Sequence, residues 1–504
     1  MIRGRLGVLV AVLLVVAAGV VAVRLLSGGD APPAASSTDS GNDQRPSGPA
    51  QGTDGPAYDA ALTPALSDPL EDSYYPDQGD PGIDTLHYGL DLTWDPEDTV
   101  LTGIATVDLR ATTDAVDFQL DLLEALSVSE LTVDGNRVDF DQDDDQLVVE
   151  QAVRADQRYT VVISYAGTPA PVPAPTTRSD FSTTGLTVTP SGEIWTMQEP
   201  YGAFTWYPVN DQPSDKALYD FTIRAPRQWV GVANGVLQSR RTNSEHTVTR
   251  WHLDAPASSY LTTLAVGDFV QTEDQSASGV PISYWTPRGE GDILRALRVT
   301  PQVMAWNEAR LGRYPFSSFG ILVVDSESGM ETQTMITLGD TDYTLSDEVI
   351  QHELTHQWYG DLVSPTDWRD VWMNEGMTMF LQGAYEADRD GISIDQKLAM
   401  WAPFESQLRA ESGPPGAYEA GEFGEGNIYY GPALMWNALR HRLGPPAFWA
   451  MVRAWPQVHA EGNATREQYF DWIEKETGQE LTSFFDDWIM GTTTPPYPDE
   501  KRQT

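Results

Sequence analysis

Two imidazoles and a carboxylate stand within five consecutive residues of this 504-residue chain, in the segment His352-Glu353-Leu354-Thr355-His356. In a helix, residues four apart share a face, so both imidazoles can bind one metal ion, with Glu353 beside them. This H-E-x-x-H pattern is typical of zinc-dependent hydrolysis, in which the carboxylate is the general base for a zinc-activated water. Because the motif alone is only moderately specific, a second element is needed.

A third ligand is offered by Glu375 in the segment Asn374-Glu375-Gly376, with 18 residues between it and His356. The intervening segment from Gly360 to Trp368 contains Gly and Pro breakers, and a helical pattern resumes from Trp368 to Asp388. This spacing allows a second helix to return to the first. We therefore predict one zinc ion, bound by two histidines and Glu375, with a fourth position open to water. The alternative is a surface histidine pair and a solvated carboxylate.

The elements that must position these residues lie in two successive regions. Between Tyr74 and about Asp268, short alternating runs separated by turns predict an all-β saddle or sandwich, with Asp134-Gly135 as a hairpin signal. From about Ile282 onward helical periodicity dominates, and a late helix opens with a Thr-x-x-Gln capping box at Thr465. We expect a multi-domain α and β protein: an N-terminal β domain over residues 71–275, a mixed α/β, largely helical catalytic domain over 276–496, and a tail over 497–504.

The first 70 residues are predicted to be non-globular. Met1 to Leu26 combines two early arginines with an apolar run, the pattern of a secretory signal or a signal anchor, and the arginines favour a cytoplasmic N-terminus. We expect an uncleaved single-pass membrane anchor with the catalytic part extracytoplasmic; the alternative is a cleaved signal and secretion. Residues 27–70, rich in Gly, Ser, Pro, Ala and Asp, are expected to form a flexible linker.

Composition excludes several other classes of chemistry. The net charge is −43, from 74 acidic and 31 basic residues, and no basic cluster offers a phosphate-binding face, so we expect no nucleic-acid partner. Cysteine is absent, which excludes disulfides, thiolate metal sites and cysteine nucleophiles. The acidic stretch from Asp139 to Asp145 favours a solvated hairpin tip over a calcium loop, because it lacks the glycine of such a loop.

Further motifs occur in a fixed order around the metal-binding segments. They are Gln198-Glu199-Pro200, Trp206-Tyr207-Pro208-Val209-Asn210-Asp211-Gln212-Pro213, Ser328-Gly329-Met330-Glu331 and Gln357-Trp358-Tyr359-Gly360. With them, the chain resembles, over about Tyr74 to Pro496, the gluzincin zinc aminopeptidases that include aminopeptidase N and leukotriene-A hydrolase. The resemblance implies a β-saddle domain followed by a thermolysin-like catalytic domain. It also implies removal of the N-terminal residue from peptides with a free N-terminus.

The resemblance assigns roles to four further residues. Glu331 corresponds to the acid that binds the α-amino group of the substrate, and Glu199 to a second acid that joins it from the β domain. Gly329 and Met330 would present backbone groups that pair the substrate as an added strand. Ser328 and Thr332 stand where the family usually has Gly and Asn, so this chain departs from the family at two positions beside the predicted amine pocket.

A tyrosine that stabilises the oxyanion is also implied by the resemblance. The family has Tyr-x-(Lys/Arg)-Gly at the start of a helix after the metal ligands, and here Tyr429 is the counterpart, with Tyr430 as its rival. Gly431 and Pro432 stand where the family has the basic residue and the glycine. Because the chain continues only about 75 residues beyond Tyr429, we expect no helical C-terminal cap and a more open cleft.

Two rival functions remain at this stage. A zinc endopeptidase would share the metal residues but would not need a pair of acids for an amine. A non-catalytic cell-surface binding module would keep the fold, although its expected signature, a lost base or ligand, is absent. The oligomeric state, the physiological substrate and any epoxide hydrolase activity are not indicated by these motifs.

Overall fold

Strands dominate the first half of the protein in the computed structural model, which describes residues 60–497. They are β1 (Ile83–Asp95), β2 (Val100–Ala111), β3 (Phe118–Asp121), β4 (Leu126–Val133), β5 (Asn136–Arg137), β6 (Phe140–Asp143), β7 (Gln146–Val149), β8 (Arg158–Gly167), β9 (Val172–Pro173), β10 (Thr183–Val188), β11 (Ile194–Met197), β12 (Lys216–Pro226), β13 (Val230–Ala233), β14 (Val236–Thr242), β15 (His246–Ser258) and β16 (Leu264–Gly267).

These strands form three sheets. The largest has eight strands in the order β14-β15-β12-β1-β2-β8-β4-β5, antiparallel throughout except where β1 pairs with β12. A five-stranded sheet has the order β13-β16-β11-β10-β9, and a small sheet has the order β3-β7-β6. Buried and less buried residues alternate along β1, so that one face of the large sheet packs on the core. The predicted all-β region is confirmed.

Two hairpin turns match the sequence analysis. Asp134 and Gly135 connect β4 to β5 with φ values of 49° and 76°, the left-handed geometry that an Asp-Gly hairpin requires. The acidic stretch between β6 and β7 also turns through positive φ, at Asp144 and Asp145. It forms a hairpin tip, as predicted.

The second part of the protein is mainly helical. Its strands are β17 (Phe269–Gln275), β18 (Pro281–Pro287), β19 (Phe319–Val324), β20 (Gly329–Met330), β21 (Met335–Gly339), β22 (Val363–Pro365) and β23 (Gly462–Ala464). Its α-helices are α1 (Gly291–Leu297), α2 (Thr300–Leu311), α3 (Asp347–His356), α4 (Trp372–Asp390), α5 (Ile394–Ala399), α6 (Ala402–Ser412), α7 (Asn427–Leu443), α8 (Pro445–Val458), α9 (Arg466–Thr477) and α10 (Thr482–Phe485). The capping box of α9 at Thr465 and Gln468 is present.

A mixed five-stranded sheet, in the order β17-β18-β19-β21-β20, opens this second part. The predicted domain boundary between residues 275 and 276 falls inside the β17–β18 hairpin. β17 pairs with β18 and therefore belongs to the sheet of the second part. The boundary between the two parts thus lies before Phe269. Short apolar runs made β17 look like a continuation of the β domain, whereas its hydrogen bonds place it in the catalytic part.

The predicted linker over residues 27–70 is wrong at its C-terminal end. Leu62 and Ala65 are buried together with Leu86 of β1, and Arg110 donates to the carbonyl oxygen of Ser67 at 2.7 Å. Residues 60–70 therefore pack on the β part. The predicted anchor, Met1 to Leu26, lies outside the described residues, as do the rest of the linker and nearly all of the tail. Within residues 60–497, no helix has both the length and the apolar character needed to cross a bilayer.

One continuous core joins the two parts. A single cluster of buried apolar side chains extends from Tyr75 to Ile489. The irregular turn Gln357–Asp361, which follows α3, is also tied to the β part: Lys216 donates to the carbonyl oxygen of Asp361 at 2.7 Å, and Tyr260 donates to that of Gly360 at 3.3 Å. The β part thus fixes the direction in which the chain leaves α3.

Candidate active site

Three side chains from α3 and α4 converge on one point. His352 and His356 lie one turn apart on α3, and Glu375 lies in the first turn of α4. Their ligand atoms all lie within 4.8 Å of one another. The Nε2 atoms of His352 and His356 are 3.2 and 3.4 Å from Oε2 of Glu375. The structure therefore brings together the three predicted metal ligands.

The start and end of α3 account for its placement. Ser346 caps the helix by accepting a hydrogen bond from the backbone N–H of Val349, and two acids follow in the first turn. Beyond the helix, Gly360 adopts a φ of 131° and turns the chain toward β22 and α4. A Cβ at Gly360 would lie 3.2 Å from Nδ1 of His356, so this turn needs glycine for its conformation.

The far side of each imidazole is held by an oxygen. Nδ1 of His356 lies 3.0 Å from the carbonyl oxygen of Tyr359, and Nδ1 of His352 lies 3.0 Å from Oε1 of Gln382. A carbonyl oxygen only accepts, so Nδ1 of His356 carries a proton, and its Nε2 faces Glu375. Gln382 in turn donates to Glu386 at 2.9 Å. Such outer contacts fix the orientation of metal-binding histidines.

These residues fit a zinc ion. Two imidazole nitrogens and one carboxylate oxygen are the ligands of catalytic zinc sites. The electrostatics favour positive charge at this point: burial opposes protonation of His356, but the neighbouring Glu375 outweighs burial and raises the pKa of the imidazole well above its usual range. Burial opposes ionisation of Glu375, but the neighbouring His356 and His352 outweigh it and lower the pKa of the carboxyl to about 2. Burial lowers the pKa of His352.

Glu353 lies beside the metal-binding residues, with ligand atoms of Glu331, Glu353 and His356 all within 4.8 Å of one another. Its side chain is buried, and burial, followed by the charge of Glu331, raises its pKa well above the usual range. A Cβ at Gly329 would lie 2.6 Å from Oε1 of Glu353. The backbone of β20 therefore passes directly beside the carboxylate, and a side chain at position 329 would displace it.

Two more buried carboxylates lie next to the metal-binding residues. One oxygen each of Glu199, Glu331 and Glu375 falls within 4.8 Å of the others. The Oε1 atoms of Glu199 and Glu331 are buried without a hydrogen-bond partner. Burial is the first cause of their raised pKa values: that of Glu331 rises to about 7, and that of Glu199, further raised by the charge of Glu331, lies well above its usual range. Buried carboxylates are costly unless they are paired, and these two oxygens have no partner among the described residues.

The backbone of Gly329 and Met330 forms an edge. Strand β20 pairs antiparallel with β21 only, through Gly329 with Leu338 and Met330 with Thr337, and it is the outermost strand of its sheet. An edge strand offers backbone groups to an added strand. The edge lies beside Glu353 and leads directly into Glu331.

The two candidate tyrosines face different surroundings. The Tyr429 ring is centred 6.1 Å from the ring of His352, and its phenol has a raised pKa because of burial and the charge of Glu375. The Tyr430 ring instead packs edge-on against Trp401 at 5.5 Å. The structure thus places Tyr429, and not Tyr430, beside the metal ligands.

Three residues near the site were missed by the sequence analysis. Gln382 lies seven residues past Glu375, and this helical spacing was an available signal. Arg178, from the loop between β9 and β10, donates to the Tyr429 hydroxyl at 3.5 Å. Arg409 packs with Glu405 beside Gly431, where a Cβ would lie 3.2 Å from Oε1 of Glu405. Neither arginine belongs to a local motif, so no sequence signal pointed to it.

Two models of one protein family match this chain. The family model described as the Peptidase M1 N-terminal domain matches residues 84–261, and the model of the Peptidase family M1 domain matches residues 295–488. Aminopeptidase N of Streptomyces lividans is 24% identical over 441 residues, which cover 81% of this chain and 50% of that protein. Glutamyl aminopeptidase of Rattus norvegicus is 23% identical over 446 residues, covering 81% of this chain and 47% of that protein. The chain spans about half the length of these relatives.

Solved structures show the same fold. An M1 zinc metallopeptidase from Deinococcus radiodurans aligns with a TM-score of 0.75 at 24% identity, covering 86% of this chain and 99% of that one. A mutant M1 zinc metallopeptidase from the same organism, bound to a Tyr-Ser-Ala substrate, aligns with a TM-score of 0.74 at 24% identity, covering 86% of this chain and 99% of that one. The predicted fold class, a β-rich N-terminal domain followed by a largely helical zinc-peptidase domain, is confirmed.

Proposed function

The chain belongs to peptidase family M1, and on that premise we propose that it is a zinc-dependent aminopeptidase with one bound zinc ion. The observation that carries the proposal is a pair of buried carboxylates, Glu199 and Glu331: each has an orphaned Oε1, and one oxygen of each lies within 4.8 Å of an oxygen of Glu375. A substrate ammonium bound there supplies the missing partner for both. Because this amine pocket adjoins the metal ligands, only the first peptide bond of a chain reaches them.

Each residue of the site has a defined task in this reaction. A zinc ion held by His352, His356 and Glu375 would polarise the scissile carbonyl and lower the pKa of a water molecule. Glu353 takes the proton of the attacking water and returns it to the leaving amine. The hydroxyl of Tyr429 donates to the carbonyl oxygen as that oxygen becomes negative.

The assay that tests the proposal compares one peptide with a free and with an N-acetylated terminus. We expect release of the first residue from the free peptide, inhibition by a chelator and recovery with zinc. Acetylation removes the charge that Glu199 and Glu331 bind, so the acetylated peptide should be cut at a small fraction of the rate. Equal rates for the two peptides would favour an endopeptidase and contradict the proposal.

Substitution of the base separates catalysis from binding. Glu353→Gln keeps the shape of the side chain and removes its ability to take a proton, so we expect turnover to fall by about 100-fold or more while zinc content stays the same. A non-catalytic binding module would show no turnover in the wild-type protein. Unchanged turnover in the variant would refute the role of Glu353.

We also propose that the catalytic part is extracytoplasmic. The support is the arginine-flanked apolar segment from Met1 to Leu26, which favours export of the residues that follow it. In intact cells, an impermeant chelator or added protease should reach the enzyme. Protection of the full-length protein from both reagents would contradict the proposal. Recovery of activity in the medium rather than the membrane fraction would show that the segment is cleaved.

A further inference from the structure

We propose that Arg178 is a positioning residue of the reaction, which holds the phenol of Tyr429 in the orientation that lets it donate to the oxyanion. The inference rests on the proposed function. Nη1 of Arg178 lies 3.5 Å from the hydroxyl oxygen of Tyr429. An arginine only donates, so this contact occupies a lone pair of the phenol oxygen and leaves the phenol O–H free to point into the site.

The guanidinium is fixed by its other bonds. Nη1 also donates to the carbonyl oxygen of Gly424 at 2.9 Å, while Nε and Nη2 donate to the carboxylate of Asp180 at 3.2 and 2.6 Å. A planar guanidinium bound at both ends has little freedom to rotate. With most donors engaged by protein atoms, Arg178 is suited to hold the phenol rather than to capture a substrate carboxylate.

The loop that carries Arg178 is docked beside the start of the tyrosine helix. Phe423 donates its N–H to the carbonyl oxygen of Pro175 at 2.9 Å, and the hydroxyl of Thr177 donates to Glu425 at 2.6 Å. These bonds join the β part to the segment just before α7, which carries Tyr429 in its first turn. The β part therefore sets the position of the phenol relative to the metal ligands on α3 and α4.

α7 has no basic side chain at position 431, two residues after Tyr429. Residue 431 is glycine, and the space beside it is filled by the buried pair of Arg409 and Glu405. Arg409 is further bound to the carbonyl oxygens of Trp488 and Gly491. The cation that contacts Tyr429 therefore comes from the β part.

The experiment is a double-mutant cycle between Arg178→Met and Tyr429→Phe, with Arg178→Lys as the conservative variant. If Arg178 acts through the phenol, Arg178→Met should lower kcat by about 10- to 100-fold, with KM changed by less than about twofold. Arg178→Lys should restore part of the loss. In the Tyr429→Phe background, Arg178→Met should change kcat by less than about twofold, because the phenol is already gone.

Two further measurements separate this role from its alternatives. Thr177→Val is the matched control, since it removes a bond across the same junction without touching Tyr429, and it should keep kcat near the wild-type value. Affinity for a phosphinic dipeptide, whose tetrahedral oxygen mimics the oxyanion, should fall in Arg178→Met about as much as kcat does. Zinc content should be unchanged in all variants.

Several results would overturn the inference. Full additivity of the two substitutions would show that Arg178 acts independently of the phenol. A rise in KM confined to peptides with a free C-terminal carboxylate, and absent for aminoacyl anilides, would make Arg178 a substrate-binding residue. An equal loss of kcat in Thr177→Val would show that Arg178 acts only by docking its loop against the segment before α7. No hydrolysis by the wild-type protein would refute the proposed function as well, whereas the other outcomes leave it standing.

Discussion

Four buried carboxylates lie close together in the site, and their pKa values are shifted in opposite directions. Glu375 is shifted down to about 2 because the two imidazoles outweigh its burial. Burial shifts Glu199, Glu331 and Glu353 upward. Glu375 is therefore ionised and can bind a metal ion. Glu199 and Glu331 become favourable as anions only when a cation enters the site. These opposite shifts suit the proposed function, in which the site binds a metal ion and a substrate ammonium.

Neutralising one acid of the amine pocket should weaken recognition of the free N-terminus. Glu331→Gln keeps the side-chain volume and removes the charge that an ammonium would bind. A charge-assisted hydrogen bond contributes about 1.5–3 kcal/mol, so kcat/KM for a free peptide should fall by about 10- to 100-fold. Glu327→Gln, four residues earlier and exposed, is the matched control. An unchanged kcat/KM in Glu331→Gln would remove this residue from the amine pocket.

The sequence allowed most single residues of the site to be placed, because motifs encode local spacing. His352, His356 and Glu375 needed only helical periodicity and a return helix. Tyr429 was preferred to its rival Tyr430 through the resemblance alone, because the local sequence does not show which side of the helix start faces the metal ligands. Arg178 was out of reach, since its contact with Tyr429 spans 251 positions and depends on how the two parts dock.

The crossing of α4 and α7 sets the distance between the helix that carries Glu375 and the helix that carries Tyr429. A Cβ at Gly376, the residue after Glu375, would lie 2.2 Å from Cβ of Pro432. Glycine there lets the helix with the third metal ligand approach the helix with the tyrosine. Pro432 stands where the resemblance places a glycine, and the glycine that permits the close contact, Gly376, lies on α4.

Gly376→Ala should therefore destabilise the protein, although Gly→Ala within a helix normally stabilises by about 0.5–1 kcal/mol. Overpacking at a helix crossing costs about 1–3 kcal/mol, so the net effect has the opposite sign. The displaced Glu375 should also weaken zinc binding. Urea unfolding and zinc titration measure the two effects. Gly421→Ala, where an added Cβ meets nothing within 4 Å, should leave both unchanged, and a stabilised Gly376→Ala would contradict the described crossing.

A histidine bridge in the large sheet makes a pH-dependent contribution to stability. Nε2 of His87 in β1 lies 3.0 Å from Asp220 of β12, and its Nδ1 lies 3.7 Å from Asp108 of β2. His252 also contacts Asp220, at 2.8 Å. Burial opposes protonation of His87, but the two carboxylates outweigh burial and raise its pKa to about 9. The charged imidazole therefore joins three strands at neutral pH.

Substitution of His87 by Gln should cost stability only below about pH 9. The folded pKa is raised above the unfolded value of about 6.5, so the stabilisation is fully present below pH 6.5 and is lost as pH rises through about 9. The shift sets an upper bound of about 3 kcal/mol, and screening at the half-exposed Asp220 reduces the expected value to about 1–2 kcal/mol. Urea unfolding at pH 6, 7.5 and 9.5 measures the difference, with His246→Gln as control. A difference that persists at pH 9.5 would contradict this assignment.

The β part and the helical part both contribute residues to the site. Glu199 and Arg178 come from the β part, and the metal ligands, Glu331 and Tyr429 come from the helical part. Alternating and helical periodicity predicted both parts correctly. Their boundary was misplaced because a strand such as β17 has the same pattern whichever sheet it joins. Periodicity reports which face of a strand is buried, and pairing is decided by partners distant in sequence.

Because one core runs through both parts, removal of the metal should destabilise the whole molecule as a unit. Zinc binds only the folded site, so free zinc at about 1,000 times its dissociation constant adds about 4 kcal/mol. Calorimetry should show one transition, shifted to lower temperature after chelation and restored by zinc. A Glu375→Gln variant, which lacks one ligand, should respond less to the chelator. Two separate transitions, only one of them sensitive to zinc, would show that the parts unfold independently despite the shared core.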